Sequence, residues 1–242
     1  MSATRRLILV RHGESQWNLE GRFTGWADVD LTDAGVTQMR EAAAALASAG
    51  ITFDLAFTSV LRRCIRSQWV LQDAMGCMWV PIVPDWRLNE RHYGDLTGRL
   101  KEEAVRIHGQ DMVNRWRRSY DTAPPPLLPS QDSPVVIDRR YRALRPEQIP
   151  CGESLHQTVD RVDGVWSEVI TPALQSGQQV LVMAHGNSLR ALIKIIEGLS
   201  GEECQSLEVP NAAPLIYELD ETLMVQRKTQ LTVAPRQSST IL

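Results

Sequence analysis

Leu7-Ile8-Leu9-Val10-Arg11-His12-Gly13-Glu14-Ser15 is the stretch on which the reading of this chain turns. The short continuous apolar run reads as a strand buried on both faces. It passes without a break into a cation, an imidazole and a glycine. A loop rich in Gly and aromatics follows from Trp17 to Asp30, and then Thr32 is placed to cap a helix. Val36, Met39, Ala43 and Leu46 recur at helical spacing, with Gly50 at the C′ position. Leu55-Ala56-Phe57-Thr58 predicts a second strand. Ser59 is a candidate cap for a helix running through Ala74. Val80-Pro81-Ile82-Val83 predicts another strand near a sheet edge, because of its prolines.

The same pattern returns late in the chain. Val180-Leu181-Val182-Met183-Ala184 is the most strand-like segment, and it ends in His185-Gly186-Asn187-Ser188. A helix is expected from about Leu189 to Leu199, then a closing hairpin from Leu215-Leu219 and Leu223-Val225. Strands alternating with helices predict an α/β fold. We expect a three-layer sandwich with a mostly parallel sheet and helices on both faces, in a single domain spanning 1–242. Seven of the thirteen prolines fall between Pro124 and Pro150. The segments on either side each lack a complete sheet, so this region reads as an inserted lobe, at about 95–150, over one end of the sheet. A flexible linker is the competing reading. A polar, mobile tail is expected at about 227–242.

Lys and Arg total 26 against 29 Asp and Glu among 242 residues, a net charge of −3. That balance gives no general pull toward nucleic acid or an anionic membrane. Anion binding must then come from local clusters. No apolar run approaches the length of a membrane span, and the N-terminal run is too short for a signal peptide. Cys64, Cys77, Cys151 and Cys204 contain no Cys-x-x-Cys pair. The expectation is a cytoplasmic protein with reduced thiols serving as small packing residues.

His12 and His185 each follow a buried strand directly, and each precedes a glycine. Ligands of open α/β sheets bind outside the carboxyl ends of the strands. Neighbouring strands would therefore point both imidazoles into one crevice. Arg11 adjoins the first histidine, and Arg62, Arg63 and Arg66 start the helix after the second strand, where a helix N-terminus and Arg forks suit an anion. The alternative is a solvated charged face. Arg115, Arg117 and Arg118 flank Trp116 in a second basic cluster, which alone would also read as a surface patch. Glu90, in Glu90-Arg91-His92-Tyr93-Gly94, is a candidate general acid/base or a surface carboxylate paired with Arg. His92, His108 and His156 lack metal-type spacing. Phosphate-loop, dinucleotide and Gly-x-Ser-x-Gly motifs are absent.

Leu9 to Ser15 resembles the Arg-His-Gly signature of the histidine phosphatase superfamily. More closely, Arg11 to Asn18 followed by Arg22-Phe23-Thr24-Gly25-Trp26 resembles the bisphosphoglycerate-dependent phosphoglycerate mutases. Phe57 to Arg63, Leu88-Asn89-Glu90-Arg91-His92-Tyr93-Gly94, Trp116-Arg117-Arg118 and Ala184 to Arg190 are similar to that family too. The likeness covers about residues 6 to 220. It implies that His12 carries a phosphoryl group, with Arg11, Arg63 and His185 around it and Glu90 moving the proton on the substrate hydroxyl. It also implies a substrate-binding set of Ser15, Asn18, Thr24, Gly25, Tyr93, Lys101, Arg117, Arg118, Gly186 and Asn187.

The implied reaction interconverts 3-phosphoglycerate and 2-phosphoglycerate in glycolysis and gluconeogenesis, primed by 2,3-bisphosphoglycerate and needing no metal. Its implied partners are small phosphoglycerates and further copies of the chain, as a dimer or tetramer, with no nucleic acid or membrane. A phosphatase of the same superfamily and a non-catalytic phosphoester-binding regulator are the alternatives. The chain departs from the family in three places. Arg99 adds charge beside Lys101. Ala212-Ala213, after Asn211, stand for the usual Thr-Gly before Pro214. The family's Ala- and Lys-rich C-terminal tail, which helps cover its site, has no counterpart here.

Overall fold

The computed structural model describes residues 4–128 and 138–233. Six strands form one sheet: β1 (Arg5–Arg11), β2 (Leu55–Thr58), β3 (Ile82–Pro84), β4 (Val180–Ala184), β5 (Leu215–Leu219) and β6 (Val225–Gln230). Their order across the sheet is β3-β2-β4-β1-β5-β6. The four strands from β3 to β1 run parallel, and β5 and β6 are antiparallel additions. The sheet is therefore mixed, with its parallel half carrying the strand ends of interest. β3 lies at an edge, where prolines are tolerated because ladder donors are not required there.

Alternation along the parallel strands feeds both faces. Leu7, Leu9, Phe57, Val180, Val182 and Ala184 pack into one core with Val162, Val165, Leu189 and Leu192. Those partners come from α6 (Leu155–Val165) and α8 (Gly186–Glu197). Ile8, Val10, Ala56, Leu181 and Met183 pack on the other face with Met39, Leu46 and Leu71. These come from α2 (Asp33–Ser48) and α3 (Arg62–Ala74). β4 is buried along its whole length, as a central strand covered on both faces must be.

Thr32 caps α2 as expected, accepting from the Gly35 amide at 2.9 Å. α2 also comes very close to the loop after β1. A Cβ on Gly13 would lie 2.2 Å from the Gly35 carbonyl oxygen, and one on Gly35 would lie 2.1 Å from that of Glu14. Only two glycines allow this approach.

Three local expectations are corrected. Ser59 does not cap α3: the cap position is Leu61, without a side-chain bond, and the Ser59 hydroxyl is taken by His185. α8 begins at Gly186 instead of Leu189, because His185 is already the cap residue. Residues 227–230, placed in the mobile tail, belong to β6, where Arg227 and Lys228 pair with Glu218 and Tyr217. Backbone pairing with β5 holds this polar strand although its side chains are largely exposed. Residues 234–242 lie outside the described residues, as does 129–137 within the proline-rich lobe.

The described part of that lobe carries α4 (Lys101–His108) and α5 (Gln110–Arg118). This part packs Leu96, Ala104, Val113 and Trp116 in a small cluster with Phe23 from the loop after β1. Its returning strand of chain is tied down where Asp95 donates to the Pro125 carbonyl at 2.9 Å and Leu127 to that of Cys151 at 2.7 Å. These bonds anchor the proline-rich segment next to Tyr93-Gly94, unlike a free linker. None of the four cysteines is paired.

Candidate active site

β1 and β4 are direct neighbours, with Arg11 opposite Ala184. Their next residues, His12 and His185, therefore emerge side by side from the carboxyl end of the sheet. The two rings meet edge to face, with centroids 5.0 Å apart. His12 lies 2.7 Å through Nδ1 from the Gly13 carbonyl oxygen. A carbonyl only accepts, so Nδ1 carries the hydrogen and Nε2 keeps its lone pair. Burial, then the charges of Arg63 and Arg11, hold the His12 pKa well below the usual histidine value, against the opposing pull of the Gly13 bond. Those effects favour the neutral His12 ring.

His185 is fully buried, and its pKa is likewise pushed well down, first by burial and then by Arg63. Its Nε2 lies 2.8 Å from the Ser59 hydroxyl and 3.3 Å from the Cys64 thiol. Burial pushes that thiol up to about 12, so it is a neutral contact.

A cleft opens in front of His12, between the sheet end and the lobe. Arg11, Arg63, Glu90, Asn18, Thr24, Gly25, Tyr93, Lys101, Arg117, Arg118, Gly186 and Asn187 all line it. Two of the expected site residues do not. His185 stands behind His12. Ser15 is buried and caps the short helix α1 (Gln16–Leu19), accepting from the Asn18 amide while its own amide donates to Asn18 Oδ1. Ser15 reaches the cleft only by orienting Asn18. Four residues that sequence reading passed over join the wall: Arg22, Phe23, Arg190 and Glu208. Arg22, Phe23 and Arg190 lie within recognised stretches, a signal that was available; Glu208 carried none.

The arginines of the helix after β2 divide sharply. Arg63 is buried and donates to the Ala27 and Gly25 carbonyls, both at 2.8 Å, so one side chain faces the cleft and fixes the loop that forms its wall. Arg66 pairs with Asp30 at 2.9 Å, away from the cleft. Gly25 has φ +50°, and a Cβ there would lie 3.1 Å from the Tyr93 amide nitrogen. Glycine is needed at that joint. Arg11 stacks beside Gly186 and donates to the Val209 carbonyl, and its Nε is buried with no hydrogen-bond partner. An unpaired buried donor next to His12 suits an incoming oxyanion.

Glu90 faces the same space from the other side. Its Oε1 accepts from the Arg91 amide at 2.8 Å and from Asn187 Nδ2 at 2.9 Å, at the N-terminus of α8. Its backbone is pinned from behind. Trp26 Nε1 donates to the Glu90 carbonyl at 2.7 Å. Arg161 donates to the Arg87 and Asn89 carbonyls and forms a buried pair with Glu153, Nε to Oε1 at 2.8 Å. Glu153 in turn accepts from the His92 amide at 2.7 Å.

Cations crowd the outer part of the cleft. The Lys101 pKa is lowered, first by burial and then by Arg117, and that of Arg190 first by burial and then by Arg118. An anion bound among them would relieve that mutual repulsion. Among the described residues no group of three or more His, Cys, Asp or Glu is arranged to hold a metal, and no helix is long and apolar enough to cross a membrane.

Residues 7–230 match the histidine phosphatase superfamily (branch 1). The chain belongs to that family. Solved structures share the fold. A mycobacterial glucosyl-3-phosphoglycerate phosphatase is 22% identical, with 96% of this chain and 100% of that one covered and a TM-score of 0.70. The α-ribazole phosphatase of Shigella flexneri is 22% identical over 94% and 95% of the two chains, at 0.67. The YhfR protein of Bacillus stearothermophilus is 23% identical over 89% and 92%, also at 0.67. The buried His12–His185 pair flanked by Arg11 and Arg63 forms the inner end of the cleft.

Proposed function

We propose that this histidine phosphatase family member is a phosphoglycerate mutase that interconverts 3-phosphoglycerate and 2-phosphoglycerate through 2,3-bisphosphoglycerate. The observation carrying this reading is the surplus of positive charge. Arg11 and Arg63 stand at His12, while Arg22, Lys101, Arg117, Arg118 and Arg190 line the cleft farther out. One phosphoryl group does not call for two groups of cations. A small ligand with an anion at each end does.

In the proposed cycle, His12 Nε2 attacks the phosphorus of 2,3-bisphosphoglycerate and the P–O bond to the substrate oxygen breaks. Glu90 gives its proton to that oxygen. Arg11 and Arg63 neutralise charge on the transferring oxygens, which is most of what phosphoryl transfer requires. The phosphohistidine so primed donates to the free 2-hydroxyl of 3-phosphoglycerate, whose proton Glu90 takes; the resulting bisphosphate turns and returns its 3-phosphoryl group to His12, leaving 2-phosphoglycerate. The outer cations retain the ligand while it turns.

A second reading, a phosphatase in which water takes the phosphoryl group, is favoured by the activities named for the similar structures. One of these acts on glucosyl-3-phosphoglycerate, itself a phosphoglycerate derivative. The deciding experiment supplies 3-phosphoglycerate with and without 2,3-bisphosphoglycerate and reads 2-phosphoglycerate and inorganic phosphate together. We expect 2-phosphoglycerate to dominate and its formation to depend on the bisphosphate. Phosphate release without isomerisation would establish the phosphatase.

A further inference from the structure

We propose that Glu208 is a specificity-determining residue of the cleft: a built-in carboxylate that occupies Arg118 and must yield it to the outer anionic group of a ligand. Glu208 Oε1 lies 2.9 Å from an Arg118 guanidinium nitrogen. Both residues line the cleft that contains His12. Among the described lining residues only Glu90 and Glu208 are carboxylates, and Glu90 is engaged with Asn187 at the inner end. Glu208 is therefore the negative charge at the mouth.

Its position is built, not incidental. It sits in the irregular segment between α9 (Gly201–Ser206) and β5. Arg190 Nε donates to the Leu207 carbonyl at 2.8 Å, and Arg11 donates to the Val209 carbonyl at 2.8 Å. Two arginines of the cleft thus clamp the backbone on either side of Glu208 and hold it facing Arg118.

The pair is also easily displaced. The Arg118 and Glu208 side chains are 44% and 72% exposed, so water and salt screen their attraction. A phosphate or carboxylate reaching the mouth competes with Glu208 and is repelled by it. A ligand confined to His12 feels it much less. Glu208 would thus weaken retention of doubly anionic ligands and shorten the stay of a bisphosphate intermediate. Only the identity of that intermediate rests on the mutase reading.

The test is calorimetric binding of inorganic phosphate, tripolyphosphate and 2,3-bisphosphoglycerate to the wild-type protein, Glu208→Gln, Arg118→Gln and the double variant. Glu208→Gln is expected to tighten the two polyanions about threefold to tenfold and phosphate less than about twofold, with the gain fading at high salt. In the Arg118→Gln background the gain should vanish, as coupled neighbours require. Thermal melting of each variant checks that the fold is intact. Unchanged or weaker polyanion binding in folded Glu208→Gln would overturn the inference, and so would a gain that survives Arg118→Gln. A wild-type protein that ignores 2,3-bisphosphoglycerate, while tripolyphosphate still tightens in Glu208→Gln, would instead remove the mutase reading and leave the role of Glu208 standing.

Discussion

The inner and outer ends of the cleft are built by opposite means. At the inner end His12, Arg63, His185 and Glu90 are almost wholly buried, and each has a partner that sets its orientation. At the outer end Arg118 and Glu208 are largely exposed and meet through one ion pair. Buried groups exert their charge at low dielectric, and losing a partner there is expensive. Exposed groups are screened, and exchanging a partner costs little. On the proposed function, chemistry sits on a rigid floor and ligand retention on an adaptable rim.

The largest effect should come from the floor. His12→Ala removes the one imidazole that lines the cleft among the described residues, and turnover should fall about ten-thousandfold or more. Incubation with a phosphoryl donor should leave no acid-labile label on this variant. A labelled His12→Ala protein would mean that phosphoryl transfer does not begin at His12.

Next comes the support behind the floor. Arg161→Met strands the buried Glu153 carboxylate, a change of about 3–5 kcal/mol in stability. Urea unfolding measures it, and a loss under about 1 kcal/mol would show that the 87–92 segment is held by its own packing.

Acid should act on the same region. His12 and His185 are held well below the usual histidine pKa and His92 is at about 4, with burial the leading cause in each. Below about pH 6.5 the unfolded chain binds protons there that the folded chain refuses, so stability falls as pH falls. Each histidine contributes about 1.4 kcal/mol per pH unit until its folded value is reached, which for His92 closes the window near 4. Urea midpoints from pH 7 to 5 would read this, and a flat profile would place these rings in wetter surroundings.

Glu90→Gln keeps shape and hydrogen bonding but ends proton transfer. The expected loss in kcat is about a hundredfold or more, with labelling of His12 by a donor bearing a good leaving group less affected. Near-normal kcat would leave Glu90 only a structural role. The rim should respond least and differently. Lys101→Met is expected to raise KM about tenfold, with kcat nearly unchanged and the effect shrinking as salt rises. A loss confined to kcat would assign Lys101 to the floor.

Local order was readable from the chain because it follows from local chemistry. Leu7 to Val10 and Val180 to Ala184 announced buried strands by uninterrupted apolarity, Thr32 announced a cap, and His12 and His185 announced a strand-end site by their shared context. Ser59 misled because serine before a helical pattern is a fair cap signal. Its hydroxyl meets the buried His185 ring at 2.8 Å and accepts from the Leu61 amide at 3.3 Å, while Asp28 Oδ1 takes the Arg62 amide at the helix start. The sequence places the second hairpin strand at Leu223–Val225 and starts the tail at 227, whereas the strand is Val225–Gln230: residues 227–230 have no apolar face of their own, and their order comes from backbone bonds to β5.

What the sequence determined by itself was the α/β alternation and the residues of the floor, since periodicity and motif both act over short spans of chain. Which groups meet across that span was decided by the tertiary structure. Only the pairing of β1 with β4 sets His12 against His185. Only the fold brings Arg161 and Glu153 behind Glu90, or sets Glu208 against Arg118 at the mouth. Hydrogen bonds and close ion pairs form only when their atoms come within a few ångströms. They depend on distances that sequence separation does not encode.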